Sequence, residues 1–223
     1  MALLTTVWAT DENVLTRAAM DFPLLVPPVQ KHAAGTDGVF GSGNLWLLTS
    51  ATVDFNSYGI VAGQIVHLTV PKATYQAPGQ CWVIESVGAS GITIRRPSQA
   101  ASIGAPPSPA GGLTGVTFAV LTVFPQIENT SYSINRTFGV DATVSYRDPT
   151  SIIDVRQLQE VTVLQTLGEL YLQASRQPDD DFATKSRSYL SMSRNVLASI
   201  NLLWDSTNTL ATQTGRFNTR LTR

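Results

Sequence analysis

The chain has 223 residues, enough for one or two domains with a sizeable core, and its single cysteine excludes an intrachain disulfide. Hydrophobic residues make up 43% of it but charged residues only 14%, well below the roughly 25% of an ordinary soluble domain. A net charge of −1 and a pI near 6.1 exclude a generally basic nucleic-acid binder.

Hydroxyls take the place of the missing charge: 26 threonines and 19 serines solvate a surface or line an interface without the cost of burying ions. This composition points to extensive burial against partners. Residues 1–8 contain no Lys or Arg and too short an apolar run for a secretory signal. No later segment approaches the ~18–20 apolar residues of a membrane span. The expectation is an intracellular assembly, neither exported by the Sec route nor embedded in a membrane.

In chain order, Thr10 is a good N-cap with Asp11 and Glu12 in the first turn, which predicts a short helix to about Met20, stopped by Asp21-Phe22-Pro23. Residues 38–125 hold only Asp54, Lys72, Glu85, Arg95 and Arg96 as charges. Within them 45–55, 64–70, 81–87, 92–96 and 116–124 are rich in β-branched and aromatic residues. They predict five strands of a small antiparallel barrel or sandwich. Residues 97–112, with Pro106-Pro107, Pro109 and Gly111-Gly112, read as a long exposed loop.

After Pro125 the charge density rises, and Ile127, Ser131, Ile134 and Phe138 fall at helical spacing, with Gly139 at the position after the helix end. A second helix is expected over 126–138. Ser151 and Asp154 resemble a capping box for a third, over about 152–175, whose stripe is Val155, Leu158, Val161, Leu164, Leu167, Tyr171 and Ala174. Asp179, Asp180 and Asp181 cap a fourth, with Phe182, Tyr189, Val196, Ile200 and Leu203 along it. The last two predict a long antiparallel hairpin. The polar stretch 206–223 reads as an extended tail.

The expected fold is therefore α+β: a helical bundle, made of a short N-terminal helix and three C-terminal ones, with a small β-barrel or sandwich inserted. The expected parts are 1–37 as N-terminal arm and helix, 38–125 as β domain, 126–205 as helical bundle and 206–223 as tail.

Chemistry-bearing motifs are sparse. Gly41-Ser42-Gly43 is followed by the strand-like Leu45-Trp46-Leu47-Leu48 and not by a helix, so it reads as a turn and not a phosphate cradle. His32 and His67 stand apart with no ligand spacing around them, and Cys81, beside Trp82, reads as a small buried hydrophobe. No Gly-x-Ser-x-Gly elbow is present, and the paired carboxylates sit at helix starts, where the helix dipole accounts for them. No enzyme activity, metal or cofactor is expected. Arg216, Arg220 and Arg223, spaced with Phe217 and Leu221 and with no acid among them, form a segment suited to ordering on a partner.

The run Leu158-Gln-Glu-Val-Thr-Val-Leu-Gln-Thr-Leu-Gly-Glu-Leu-Tyr171, then Asp179-Asp-Asp-Phe182, then Lys185-Ser-Arg-Ser-Tyr189, resembles the helical pair of tailed-phage head-to-tail connector (adaptor) proteins. The segment Val53-Asp-Phe-Asn-Ser-Tyr-Gly-Ile-Val-Ala-Gly-Gln-Ile-Val66 is similar to small β-modules of phage neck and tail proteins. The resemblance implies a structural virion protein of the neck. Such a protein forms a ring of roughly twelve copies seated under the portal, extending the DNA channel and joining capsid to tail. It further implies that the portal and tail or neck proteins are its partners, with DNA passing through but not read. In that setting the expected portal contacts are Arg216, Phe217, Arg220, Leu221 and Arg223. A head-completion or tail-terminator ring is the neighbouring alternative. A carbohydrate-recognition module, with Trp46, Tyr58, Tyr75 and Trp82 as stacking rings, is the alternative of another class.

Overall fold

The computed structural model describes residues 6–70, 80–88, 91–99, 103–143 and 148–202. It divides into two compact units: Thr10–Phe124, and the described parts of Met1–Ala9 and Pro125–Arg223 that flank it in the chain.

The first unit is a closed antiparallel barrel of six strands, β1 (Lys31–Gly41), β2 (Asn44–Thr49), β3 (Ile65–Val70), β4 (Cys81–Gly88), β5 (Gly91–Arg95) and β6 (Leu113–Leu121), in the order β1-β2-β5-β4-β3-β6. Alternation sends Val66, Leu68, Trp82, Ile84, Ile92, Ile94, Val116, Phe118 and Val120 to the interior. Val53, Phe55 and Ile60, from the connection between β2 and β3, join the same core. The intervening positions Ile65, Cys81, Val83 and Leu121 are buried as well. The short helices α1 (Asp11–Arg17) and α2 (Phe22–Leu25), which precede β1 in the chain, bury Val14, Leu15, Phe22 and Leu25.

The strand missing from the sequence expectation is β1, Lys-His-Ala-Ala-Gly-Thr-Asp-Gly-Val-Phe-Gly, poor in β-branched residues. Its glycines have a contact reason. A Cβ at Gly35 would stand 2.8 Å from the Phe118 ring, and one at Gly38 would stand 2.9 Å from the Val116 carbonyl oxygen. Between these two glycines the register of β1 against β6 shifts, a bulge that lets the strand bend and close the barrel. Asp37, inside the bulge, accepts hydrogen bonds from the Ser50 hydroxyl at 2.9 Å, the Ala51 N–H at 2.8 Å and the Thr52 N–H at 2.9 Å, and so holds the exit of β2.

The second unit contains α3 (Phe124–Phe138), α4 (Arg156–Ala174) and α5 (Asp181–Ser199). Ile134, Ile152, Leu158, Val161 and Leu202 form its core, with Trp8, Phe138, Val196, Leu197 and Ile200 packed around them. The Trp8 N–H donates to the Ser131 hydroxyl and its indole N–H to Asn135 Oδ1 at 2.5 Å, which lays residues 6–9 along α3. Hydroxyls stitch these helices together: Thr166 donates to Thr130 at 3.2 Å and Ser186 to the Gly168 carbonyl at 2.7 Å, all four residues being buried. Part of the Thr and Ser excess is thus spent between helices of one chain.

The expected fold class is corrected by this architecture. The sheet is a six-stranded barrel and a principal body of the chain, not a small insertion, and among the described residues the helices are short, at most 19 residues. The N-terminal helix belongs with the barrel, and the boundary drawn between 37 and 38 falls inside β1. The capping box at Ser151 does not form. Residues Pro149–Ser151 make a 3-10 turn, α4 starts at Arg156, and the Asp154 carboxylate accepts the Arg156 N–H at 3.0 Å. The loop over 97–112 is not wholly exposed, because Pro107 and Ser108 are buried and Arg96 donates to the Ala105 carbonyl at 3.1 Å.

Candidate assembly surface

The barrel's chemistry-bearing side chains are engaged in structure. The register of β3 on β4 sets His67 opposite Cys81, the one thiol–imidazole pairing in the chain. Burial pushes the thiol up to about 12, so it remains protonated, and it lies out of reach of solvent. Burial, and then the charge of Lys31, lower the His67 imidazole. Among the described residues no group of three His, Cys, Asp or Glu side chains could hold a metal ion. No helix among them is long and apolar enough to cross a membrane.

Ser42 and Gly43 form the tight link between β1 and β2, as a turn should. The rings proposed for sugar stacking do not share an open face. Trp82 is fully buried with Trp46 edge-on to it at 6.1 Å and the Arg96 guanidinium over it at 5.4 Å, while Tyr58 is exposed and Tyr75 lies outside the described residues.

A surface of a different kind is carried by α5. The Asp180 carboxylate caps it by accepting the Ala183 N–H at 2.6 Å, and also accepts the Arg176 N–H at 2.8 Å. These two bonds, in that order, pull its pKa down to about 2. One face of α5 fits α4 closely: a Cβ on Gly168 would stand 2.6 Å from the Leu190 side chain. Beside this seam Tyr171 stacks on Tyr189 at 5.4 Å and meets Phe182 edge-on at 5.7 Å, with the Lys185 ammonium 5.5 Å from the Tyr171 centroid.

The burial of the two helices differs. In α4, ten residues are buried, from Leu158 to Tyr171, over more than one face. In α5 only Ala183, Ser186 and Ser193 are buried. Phe182, Tyr189, Leu190, Val196 and Leu197 remain half-buried, and Met192 is exposed, as is Leu172 on α4 at 60%. An outer helix that leaves this much apolar surface partly open is suited to a further protein contact.

The sequence-predicted portal contacts Arg216, Phe217, Arg220, Leu221 and Arg223 lie outside the described residues. The half-covered α5 face was missed, although one signal for it is visible in sequence: no carboxylate occurs between Phe182 and Leu202. Comparisons with family models, curated proteins and solved structures find no match to this chain.

Proposed function

We propose that this chain is a structural protein of the tailed-phage neck, a head-to-tail adaptor whose copies form a ring below the portal, extend the DNA channel and join capsid to tail. The observation that carries the reading is the one-sided cover of α5. A helix with three buried residues in nineteen and a margin of half-covered aromatic and aliphatic side chains supports a lateral contact between subunits. Low charge and abundant hydroxyls agree with that use, since a ring buries two faces of every copy. In this reading the helical unit forms the belt, and Arg216, Phe217, Arg220, Leu221 and Arg223 dock onto the portal.

The test is co-purification with the portal protein of the same virus, using the full chain and a variant lacking 206–223. The full chain is expected to be retained and the shortened one lost. Retention of both removes the portal role of the five residues, and retention of neither removes the portal reading in favour of a tail-side component.

A further inference from the structure

The outward side of α3 carries a short palindrome of side chains. Glu128, Tyr132 and Arg136 follow one another at four-residue spacing, so they form one stripe along the helix. All three are exposed, Tyr132 at 49%, whereas Ile127, Thr130, Ser131, Ile134 and Asn135 are the buried residues of α3. Glu128 and Arg136 are the only charges on this helix, and they stand equally far from Tyr132, one toward each end. Eight residues separate them, about 12 Å along the axis, too far for them to pair with each other. Among the described residues none of the three side chains is engaged in a hydrogen bond or an ion pair. Asn129, Ser133 and Thr137, exposed beside the stripe, are short and uncharged, so they neither crowd it nor compete for its charges.

Such a stripe is complementary to itself. A second copy laid antiparallel across it, with a two-fold axis at Tyr132, sets Glu128 of each copy against Arg136 of the other and one tyrosine ring against the other. Helices that interlock through their four-residue rows cross at about −50°, which keeps positions one turn from the crossing point within reach of an arginine side chain. A parallel contact in register would set glutamate on glutamate and arginine on arginine. We infer that the outward face of α3 is a two-fold contact between copies of this chain, centred on Tyr132 and held by two Glu128–Arg136 pairs between the copies. Exposed ion pairs contribute little each, and a contact through one helix is small beside the roughly 1,000 Å² of a stable interface. The dimer is therefore weak and dissociates on dilution. The inference goes beyond the ring reading: a two-fold contact closes with two copies, is separate from the lateral contact through α5, and pairs free chains before they join the portal.

The test is sedimentation of the full chain without the portal, over rising concentration. Wild type is expected to pass from monomer to dimer. Arg136→Glu and Glu128→Arg each make both pairs repulsive, and each should raise the dissociation constant of the dimer about tenfold; Tyr132→Ala should raise it as well. Both reversals in one chain should restore wild-type dimerisation, because the pairs are again opposite in charge, and a recovery of this kind shows that the single variants were folded. A wild type that stays monomeric or closes into a larger ring overturns the inference, as do single reversals that dimerise like wild type. Weak association that persists in the double variant also overturns it, since the stripe then faces a different surface. None of these results decides whether copies form a ring on the portal, and a chain that forms no ring there would leave the recovery by double reversal unchanged.

Discussion

Glu12 and Arg95, 83 positions apart in the chain, meet in a two-pronged ion pair, with Arg95 Nη1 2.7 Å from Glu12 Oε1 and Nη2 2.5 Å from Oε2. Glu12 Oε1 also accepts the Ser98 N–H at 2.7 Å, so one carboxylate ties α1 to the end of β5 and to the loop after it. Burial alone would raise the Glu12 pKa. The Arg95 guanidinium and the Ser98 N–H outweigh it and hold the carboxyl below its ordinary value.

Breaking this pair should cost stability. Arg95→Gln is expected to lower the unfolding free energy by about 1–3 kcal/mol, the range for a charge-assisted, partly buried bond left without its partner. Because the Glu12 pKa is lowered on folding, its contribution is present above the unfolded value of about 4.5 and fades as pH falls below it. Urea titrations of wild type and Arg95→Gln at pH 7 and pH 3 test this: the gap between them should narrow at pH 3, and an equal gap would reject the account.

Asp11 works in the opposite sense. It is buried, and desolvation raises its pKa to about 6, although the Thr122 hydroxyl at 2.7 Å and the Val123 N–H at 2.8 Å pull it back in part. A pKa raised on folding gives stability that is full below about 3.8 and is lost as pH rises through about 6. Asp11→Asn has no proton to lose. Wild type should therefore lose on the order of 2–3 kcal/mol relative to Asp11→Asn between pH 3.5 and pH 7. A difference independent of pH would show that Asp11 titrates as an ordinary carboxylate.

Gly168 marks the closest approach of α4 and α5. Alanine is the better helix former by about 1 kcal/mol, yet its Cβ would stand 2.6 Å from Leu190, and overpacking of this kind costs about 1–3 kcal/mol. Gly168→Ala is expected to lower the melting temperature, and Leu190→Ala in the same chain to recover part of the loss attributable to the clash. A Gly168→Ala chain more stable than wild type would mean that the helices separate freely at this point.

The barrel core gives a fourth expectation. Phe118 is 2% exposed, lies over Gly35 and contacts Phe55 at 5.6 Å between centroids. Phe118→Ala should destabilise by about 3–5 kcal/mol, the range for emptying a ring-sized site, whereas Phe118→Leu should cost less than half of that. Equal losses by thermal melting would indicate that the core collapses around either residue.

What was legible in the sequence was local. Val66 and Leu68, or Ile92 and Ile94, alternate with polar neighbours, and a strand needs no more than that to be recognised. The Thr10 cap is likewise a matter of a few adjacent residues, although its partner in the capping box is Asn13. By contrast β1 is recognisable only through Phe118 and Val116, some 80 residues away, whose bulk makes Gly35 and Gly38 fit. Missing that strand turned a closed barrel into a small insert. Asp11 and Glu12 read as ordinary first-turn acids because their partners, Thr122, Val123 and Arg95, are brought to them only by the fold. For the candidate surface, the lack of carboxylates between Phe182 and Leu202 is readable in the sequence, but the exposure of α5 is not, since its stripe of Phe182, Tyr189 and Val196 reads as core.

The proposed role requires that copies of this chain assemble as a ring on the portal. Its most direct measurement is the mass of the purified protein by native mass spectrometry, alone and mixed with the portal protein of the same virus. A closed ring is expected, or a monomer that joins the portal in one fixed stoichiometry. A stable monomer that leaves the portal's mass unchanged would contradict it.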